Sequence, residues 1–224
     1  VARMYGISRE EQEAFALLSH TKAAERELGN PNVIRISDDN GTTVDQDGCI
    51  RPSTNLESMA RLPLAFDDKG TVTAATSSPL TDGAVAMVVC SSDFAIKLNT
   101  KSKTKILGGC VIGVHPNVMG LGPINAGRRL SELTGIEIDD VDVFEVNEAF
   151  ASQSIATIRD LELDPDRVNI HGGAISIGHP LGASGARIVG QSQHILETEG
   201  KELAMALMCI GGGMGIGVAL RREK

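Results

Sequence analysis

Residues 203–220 read LAMALMCIGGGMGIGVAL, and this stretch sets the architecture of the chain. Residues 203–209 are uninterruptedly apolar, as expected of a strand buried on both faces. Glycines follow at 211–213, and 215–220 resumes the apolar pattern. Two closing strands are therefore expected. Reading backwards, 180–199 is a helix with Pro180 in its first turn, where a missing N–H is harmless. Residues 168–171 read as a short strand, 148–161 as a helix, 141–146 as a strand, 124–134 as a helix and 105–114 as β-rich. The order from 105 is β-α-β-α-β-α-β-β. That alternation predicts an α/β layered domain with a largely parallel sheet.

Upstream the pattern changes. Residues 84–89 form a continuous apolar run, expected to be a fully buried strand. Residues 30–80 look irregular, with Asp, Asn, Gly and Pro scattered throughout. A long stretch of that kind is usually functional when ordered. Residues 8–28 read as a helix. Ser8 and Glu11 have capping-box spacing, Ala14, Phe15 and Leu18 recur at helical intervals, and Gly29-Asn30-Pro31 ends the pattern.

Composition narrows the function classes. With 42% hydrophobic and 22% charged residues the chain is globular rather than disordered. A formal charge of −8 has the wrong sign for sequence-independent nucleic-acid binding. With no Trp and one Tyr it offers no base-stacking platform. No apolar run approaches the roughly 20 residues of a membrane-spanning helix, and no N-terminal signal-peptide pattern is visible. Cys49, Cys90, Cys110 and Cys209 are widely spaced, without CxxC pairs. A reducing, cytoplasmic compartment is expected, and no metal site. The first residue is Val1, which hints that the chain is not the start of its gene product.

Three places concentrate unusual chemistry, each expected at the carboxyl end of a strand, where open α/β sheets bind ligands. They are Asn147-Glu148-Ala149-Phe150, the run from His171 to Pro180 (HGGAISIGHP), and Cys209-Ile210-Gly211-Gly212-Gly213-Met214-Gly215. A His179 before a helix N-terminus is expected to be neutral, able to take a thiol proton or to donate to an oxyanion. Cys209 becomes a general base if its pKa is lowered locally. The glycines free backbone N–H groups for an oxyanion hole, and Asn147 can orient a water or a carbonyl. Singly, each has a plain structural reading: a core cysteine, a turn, a capping histidine. Their combination points to catalysis. No GxGxxG, P-loop, HExxH or GxSxG pattern competes.

At these residues the chain resembles the thiolase family. NEAFA at 147–151, GGAISIGHPLGASGAR at 172–187 and CIGGGMG at 209–215 match three of its C-terminal signatures in order and spacing. GTVTAATSSPLTDGA at 70–84 and MGLGP at 119–123 are weaker matches. Ala75-Thr76 departs from the family's usual Gly-Asn or Gly-Thr before the serine. The resemblance implies two similar βαβαβαββ halves with an inserted loop region. Residues 1–81 would be the remainder of the loop and CoA-binding region, 82–98 the last strand and helix of the first half, and 99–224 the complete second half. The chain would be the C-terminal portion only.

The resemblance also implies acyl transfer between acyl-CoA and CoA, by thiolytic cleavage of a 3-ketoacyl-CoA or by the reverse condensation. His179 would activate a nucleophilic cysteine and Cys209 would act as acid/base. Asn147, through a water, and His179 would form one oxyanion hole, with the Gly211 N–H serving another. Ser78 would lie near the CoA pantetheine, and Met119, Ala149 and Phe150 would line the pocket. CoA and acyl-CoA are substrates, and no further cofactor is implied.

The family nucleophile sits in a Cys-Gly-Ser or Cys-Ser-Ser context upstream of this chain. Cys90-Ser91-Ser92 imitates that context but closes an apolar run expected to be buried, so it is not assigned the role. Cys49, Cys110, His115 and His194 match no motif. A companion chain or missing segment bearing the nucleophile is expected, in a homo-oligomer. The opening ARMYGISREEQEAFALLS at 2–19 leans toward β-oxidation enzymes. The alternatives are a non-catalytic CoA-binding or assembly subunit, an inactive fragment, and a carrier-protein condensing enzyme. The Cys209-Ile210-Gly211 setting argues against the last.

Overall fold

The computed structural model describes residues 1–27, 32–100 and 104–223. Helices α1 (Ala2–Tyr5) and α2 (Arg9–Glu27) precede a small hairpin of β1 (Ile36–Ser37) and β2 (Thr43–Val44). Two short helices follow, α3 (Leu56–Ala60) and α4 (Ser92–Leu98). The remaining elements are β3 (Thr104–Gly113), α5 (Gly122–Thr134), β4 (Val143–Val146), α6 (Ala151–Asp160), α7 (Ala174–Ile177), α8 (Ser184–Thr198), β5 (Leu203–Ile210) and β6 (Met214–Arg222).

The start of α2 is built as its sequence dictates. The Ser8 N–H donates to Glu11 Oε2 at 2.8 Å, and the Glu11 N–H donates to Ser8 Oγ at 3.2 Å. That reciprocal cap satisfies two of the free donors of a helix N-terminus. The expected stop at Gly29-Asn30-Pro31 lies outside the described residues.

The main sheet has the order β3-β6-β5-β4. Only β4 and β5 run parallel, with Val143 opposite Ala204 and Val146 opposite Leu207. The other two pairings, β5 with β6 and β3 with β6, are antiparallel. The expected largely parallel sheet is thus a mixed one. The three residues 211–213 are too few for a crossover, so β6 folds straight back on β5 as a hairpin.

Each face of the sheet carries a helix, so β4 is buried at all four of its positions. Phe144, Val146, Met205 and Leu207 pack with Ile124 and Leu130 of α5. Val143, Ala204 and Leu220 pack with Ile195 and Leu196 of α8 on the other face. At its N-terminus α5 meets β6 backbone to backbone. A Cβ on Gly122 would lie 2.3 Å from the Met214 carbonyl oxygen, so only glycine fits there. A third cluster joins Ala16 of α2, Met59 of α3, Ala151 of α6 and Ile175 of α7. It fastens the N-terminal helices over the site described below.

Four expected elements differ. Residues 168–171 form no strand; Val168 makes a single parallel bridge to Phe144. Asn169, at φ 45°, turns the chain away, and its side-chain amide takes over the ladder. The Val146 N–H donates to Asn169 Oδ1 and Asn169 Nδ2 donates to the Val146 carbonyl, each at 2.8 Å. The apolar run at 84–89 forms no strand and is not buried: Val88 is 88% exposed. No described strand lies alongside it. Helix α8 begins at Ser184, not at Pro180, and α6 begins at Ala151, not at Glu148.

Candidate active site

The site lies at the carboxyl ends of β4 and β5, the one parallel pair. Asn147 follows the last residue of β4, and its N–H donates to the Leu207 carbonyl of β5 at 2.9 Å. Cys209 is the penultimate residue of β5. Both are buried, Asn147 to 1% exposure. Gly211 stands on the exposed hairpin turn beyond, and a Cβ there would meet nothing within 4 Å.

His179 is brought against Asn147. Asn147 Nδ2 and His179 Nε2 are 3.3 Å apart, and His179 Nδ1 lies 2.6 Å from Ser184 Oγ. Ser184 Oγ also donates to the Pro180 carbonyl at 3.1 Å. One proton arrangement serves all three contacts. Ser184 spends its hydrogen on Pro180 and so accepts from His179 Nδ1–H. Nε2 then keeps its lone pair toward Asn147 Nδ2–H. Burial, and after it the charge of Arg187, lowers the His179 pKa below 6.5 and favours this neutral form. The helix-terminus argument from sequence is replaced by these two causes, because α8 starts five residues further on.

Cys209 does not meet the condition of a locally lowered pKa. Burial pushes its thiol up to about 11 rather than lowering it. It is therefore a protonated donor at neutral pH.

A short segment ties the rest together. The Ser78 N–H and Oγ both donate to the Ala149 carbonyl, at 3.1 and 3.2 Å. Ser77 bridges Phe150, and the His179 N–H donates to the Pro79 carbonyl at 3.2 Å. Residues 77–79 thus span from the end of the Asn147 loop to His179. The Phe150 ring meets Phe66 edge-on, with centroids 6.1 Å apart. Met119 sits on the 116–121 turn, whose Gly120 abuts Gln153; Gln153 Oε1 in turn accepts from the Ala149 N–H at 3.2 Å. Ser78, Ala149, Phe150, His179 and Asn147 form one constellation. Met119 is the residue before Gly120, which packs on Gln153, and Cys209 sits at the adjoining strand end.

Two residues were missed in sequence. Ser184 was quoted within GGAISIGHPLGASGAR with no role. Its position four residues after Pro180 was the available signal, since a serine at that spacing can bond back to the i−4 carbonyl next to His179. Glu148 was also given none. Its buried carboxylate accepts from Ser19 Oγ at 2.7 Å, Asn169 Nδ2 at 2.8 Å and the Ile175 N–H at 3.1 Å. A Cβ on Gly173 would lie 2.3 Å from the Glu148 carboxyl carbon, so Gly173 is glycine because the carboxylate fills that space. Burial raises the Glu148 pKa, while Ser19, Asn169 and Ile175 oppose the shift. The Asn147 loop is thereby bolted to the segment that carries His179.

Comparison with known proteins agrees with this geometry. The thiolase C-terminal domain model matches residues 100–222, and the thiolase N-terminal domain model matches residues 1–93. The expectation of a C-terminal portion only is corrected by the second match. The 3-ketoacyl-CoA thiolase of Aliivibrio fischeri is 43% identical over 99% of this chain and 60% of its own length. The acetyl-CoA acetyltransferase of Shinella zoogloeoides is 43% identical over 98% of this chain and 58% of its own length. The crystal structure of human mitochondrial 3-ketoacyl-CoA thiolase in complex with CoA superposes with TM-score 0.94 at 39% identity, over 99% of this chain and 57% of that one. The chain thus spans about 60% of the length of these curated relatives. Its α/β fold is the thiolase fold, and the chain belongs to the thiolase family.

Proposed function

We propose that this chain supplies the acid/base and oxyanion-binding part of an acyltransferase site. The reaction is thiolysis of a 3-ketoacyl-CoA by CoA, or the reverse condensation of two acyl-CoA molecules. The observation that carries the reading is the Asn147–His179 pair, held in one proton arrangement by Ser184.

In this reading neutral His179 takes the proton of a nucleophilic thiol at Nε2. The thiolate adds to the 3-keto carbon, and the oxyanion accepts from His179 Nε2–H and from a water oriented by Asn147. Asn147 Oδ1, buried without a hydrogen-bond partner, is the acceptor for that water. Cleavage of the bond between the α-carbon and the keto carbon leaves the acyl group on the nucleophile. The departing enolate takes the Cys209 proton at its α-carbon, giving acetyl-CoA. The Cys209 thiolate then takes the proton of incoming CoA, which attacks the acylated nucleophile; the bond from the acyl carbon to the nucleophile breaks, and the released thiolate recovers its proton from His179 Nε2. The Gly211 N–H serves the second oxyanion, and Ser78, Met119, Ala149 and Phe150 border the pantetheine path.

The nucleophile is read as lying outside this chain, on a companion chain or on further sequence of a longer enzyme, and the assembly as a homo-oligomer. Cys90 is exposed beside α4, and Cys49 and Cys110 are half-buried; the Cys110 thiol donates to the Ala126 carbonyl at 3.3 Å, away from the Asn147–His179 pair. Residues 1–81 belong to the loop region, 82–98 to the end of the first half and 99–224 to the second half. The uncovered apolar run at 84–89 supports an additional partner surface there. Among the described residues no helix is long and apolar enough to cross a membrane. Cytoplasmic placement and the β-oxidation leaning remain part of the proposal.

Denaturing mass spectrometry of the active preparation, followed by thiolysis assays over a chain-length series of 3-ketoacyl-CoA, tests the reading. A second cysteine-bearing chain or segment and turnover lost in Cys209→Ala are expected. Turnover undiminished by Cys209→Ala overturns it, and CoA binding without turnover in the full complex favours an assembly subunit instead. Activity confined to acetoacetyl-CoA removes the β-oxidation leaning.

A further inference from the structure

Behind His179 lies a group of charged side chains that the proposed chemistry does not use. Arg187, on the second turn of α8, points its guanidinium back under the His179 loop. Its Nη1 donates to the Gly178 carbonyl at 2.7 Å, the peptide oxygen immediately before His179. The guanidinium is electrostatically coupled first to Glu145, then to Asp47 and Glu148. Glu145 is 4% exposed, two residues before Asn147 on β4, and its Oε1 has no hydrogen-bond partner. A buried polar group without a partner calls for an explanation. Lys22 of α2 is the other cation facing Glu145, and its Nζ is already donating to the Val168 carbonyl at 3.1 Å.

These contacts bracket the His179 segment from both ends. Glu148 holds the Ile175 N–H at one end, and Arg187 holds the Gly178 carbonyl at the other. The peptide that carries His179 is thus fixed relative to β4, the strand that carries Asn147. We propose that Arg187 is a positioning residue for His179, acting through the Gly178 carbonyl. The role rests on the acyl-transfer reading only for its purpose; the geometry stands without it. Arginine suits the place because its planar fork can engage a carbonyl while its charge faces several acids. Lysine supplies the charge as a point, without that fork.

The test uses the chain itself, by NMR of its imidazoles and guanidinium groups. In the wild type, Arg187 Nη protons are expected to exchange slowly and to show a through-hydrogen-bond coupling to the Gly178 carbonyl carbon. In Arg187→Met the His179 titration is expected to rise toward 6.5, and its contact with Asn147 to be lost. In Arg187→Lys the titration is expected to stay low while that contact still weakens. His20 is the internal control: it is lowered by burial and by Arg51, with no contribution from Arg187. Movement of His179 with His20 unchanged supports the positioning role. Equal movement of both, or of neither, overturns it. Glu145, raised by burial to about 8, is largely protonated at neutral pH, so the variant leaves no obligatory buried anion there. Should Arg187→Met still fail to fold, the wild-type measurement decides: fast-exchanging, uncoupled Arg187 protons overturn the proposal. Failure of thiolysis in the wild-type complex, with these signals intact, would count against the functional reading alone.

Discussion

Ser184 Oγ receives the Nδ1 proton of His179 across 2.6 Å while spending its own hydrogen on the Pro180 carbonyl. The acceptor lies inside the turn that follows the histidine, so the tautomer is set by local sequence. Ser184→Ala removes the acceptor without changing the fold of the turn, because the Ala183 and Ser184 N–H groups still donate to Pro180. The loss is about 1–2 kcal/mol of hydrogen bonding. In the complete enzyme it should lower kcat/KM roughly tenfold or more. Nitrogen-15 shifts of the His179 ring should show a mixture of tautomers. A single unchanged tautomer in the variant would remove Ser184 from the site.

Glu148 leaves no space for a side chain at position 173. Gly173→Ala would drive a methyl group to within 2.6 Å of both carboxylate oxygens. That displaces the carboxylate from Ser19, Asn169 and the Ile175 N–H together. The expected destabilisation is about 2–4 kcal/mol, from overpacking and from a buried acid stripped of its donors. Gly48→Ala, where a Cβ meets nothing within 4 Å, is the control. Denaturant midpoints for the two variants that fall together would refute the cradle.

What could be read in advance follows from how local each determinant is. The Ser8–Glu11 cap spans four residues, and its sequence pattern was enough. The β5–β6 pair was visible as apolar stretches around three glycines, but its antiparallel sense follows from loop length, which the alternation count ignored. Residues 168–171 looked like a strand because Val168 and Ile170 are β-branched. The ladder there is made by the Asn169 side chain instead, a long-range contact with Val146. The run at 84–89 records only a preference for burial; sequence cannot say what supplies the cover. At the site, Asn147 and His179 were legible as residue types in a known pattern. General-base action by Cys209 was conditional on a lowered pKa, and burial raises it instead, because desolvation depends on packing that no local pattern displays.

Glu145 makes stability depend on pH. Its folded pKa, about 8, is raised from 4.5 chiefly by burial, then by Glu148, with Arg187 and Lys22 opposing. The native state therefore holds this proton more tightly than the unfolded chain. The contribution is fully present below 4.5 and is lost as pH rises through about 8. Glu145→Gln should remove that loss, so the stability of the variant relative to wild type should increase across this window. At ~1.4 kcal/mol per pKa unit the change is on the order of a few kcal/mol. Some slope should remain, because Glu148 is raised by burial as well. Urea titrations of both proteins at several pH values measure the difference. Parallel curves throughout the window would place the Glu145 proton elsewhere.

Cys209 should be chemically silent in this chain. The thiolate is the reactive form, and burial holds this thiol at about 11 with only 6% of the residue exposed. Cys90, by contrast, is exposed. Brief treatment with iodoacetamide at neutral pH, read out by peptide mass spectrometry, should label Cys90 and spare Cys209. Unfolding in denaturant should bring Cys209 to the reactivity of Cys90. Labelling of folded Cys209 at the rate of Cys90 would mean that the end of β5 is open, and its role as a proton donor would lose its physical basis.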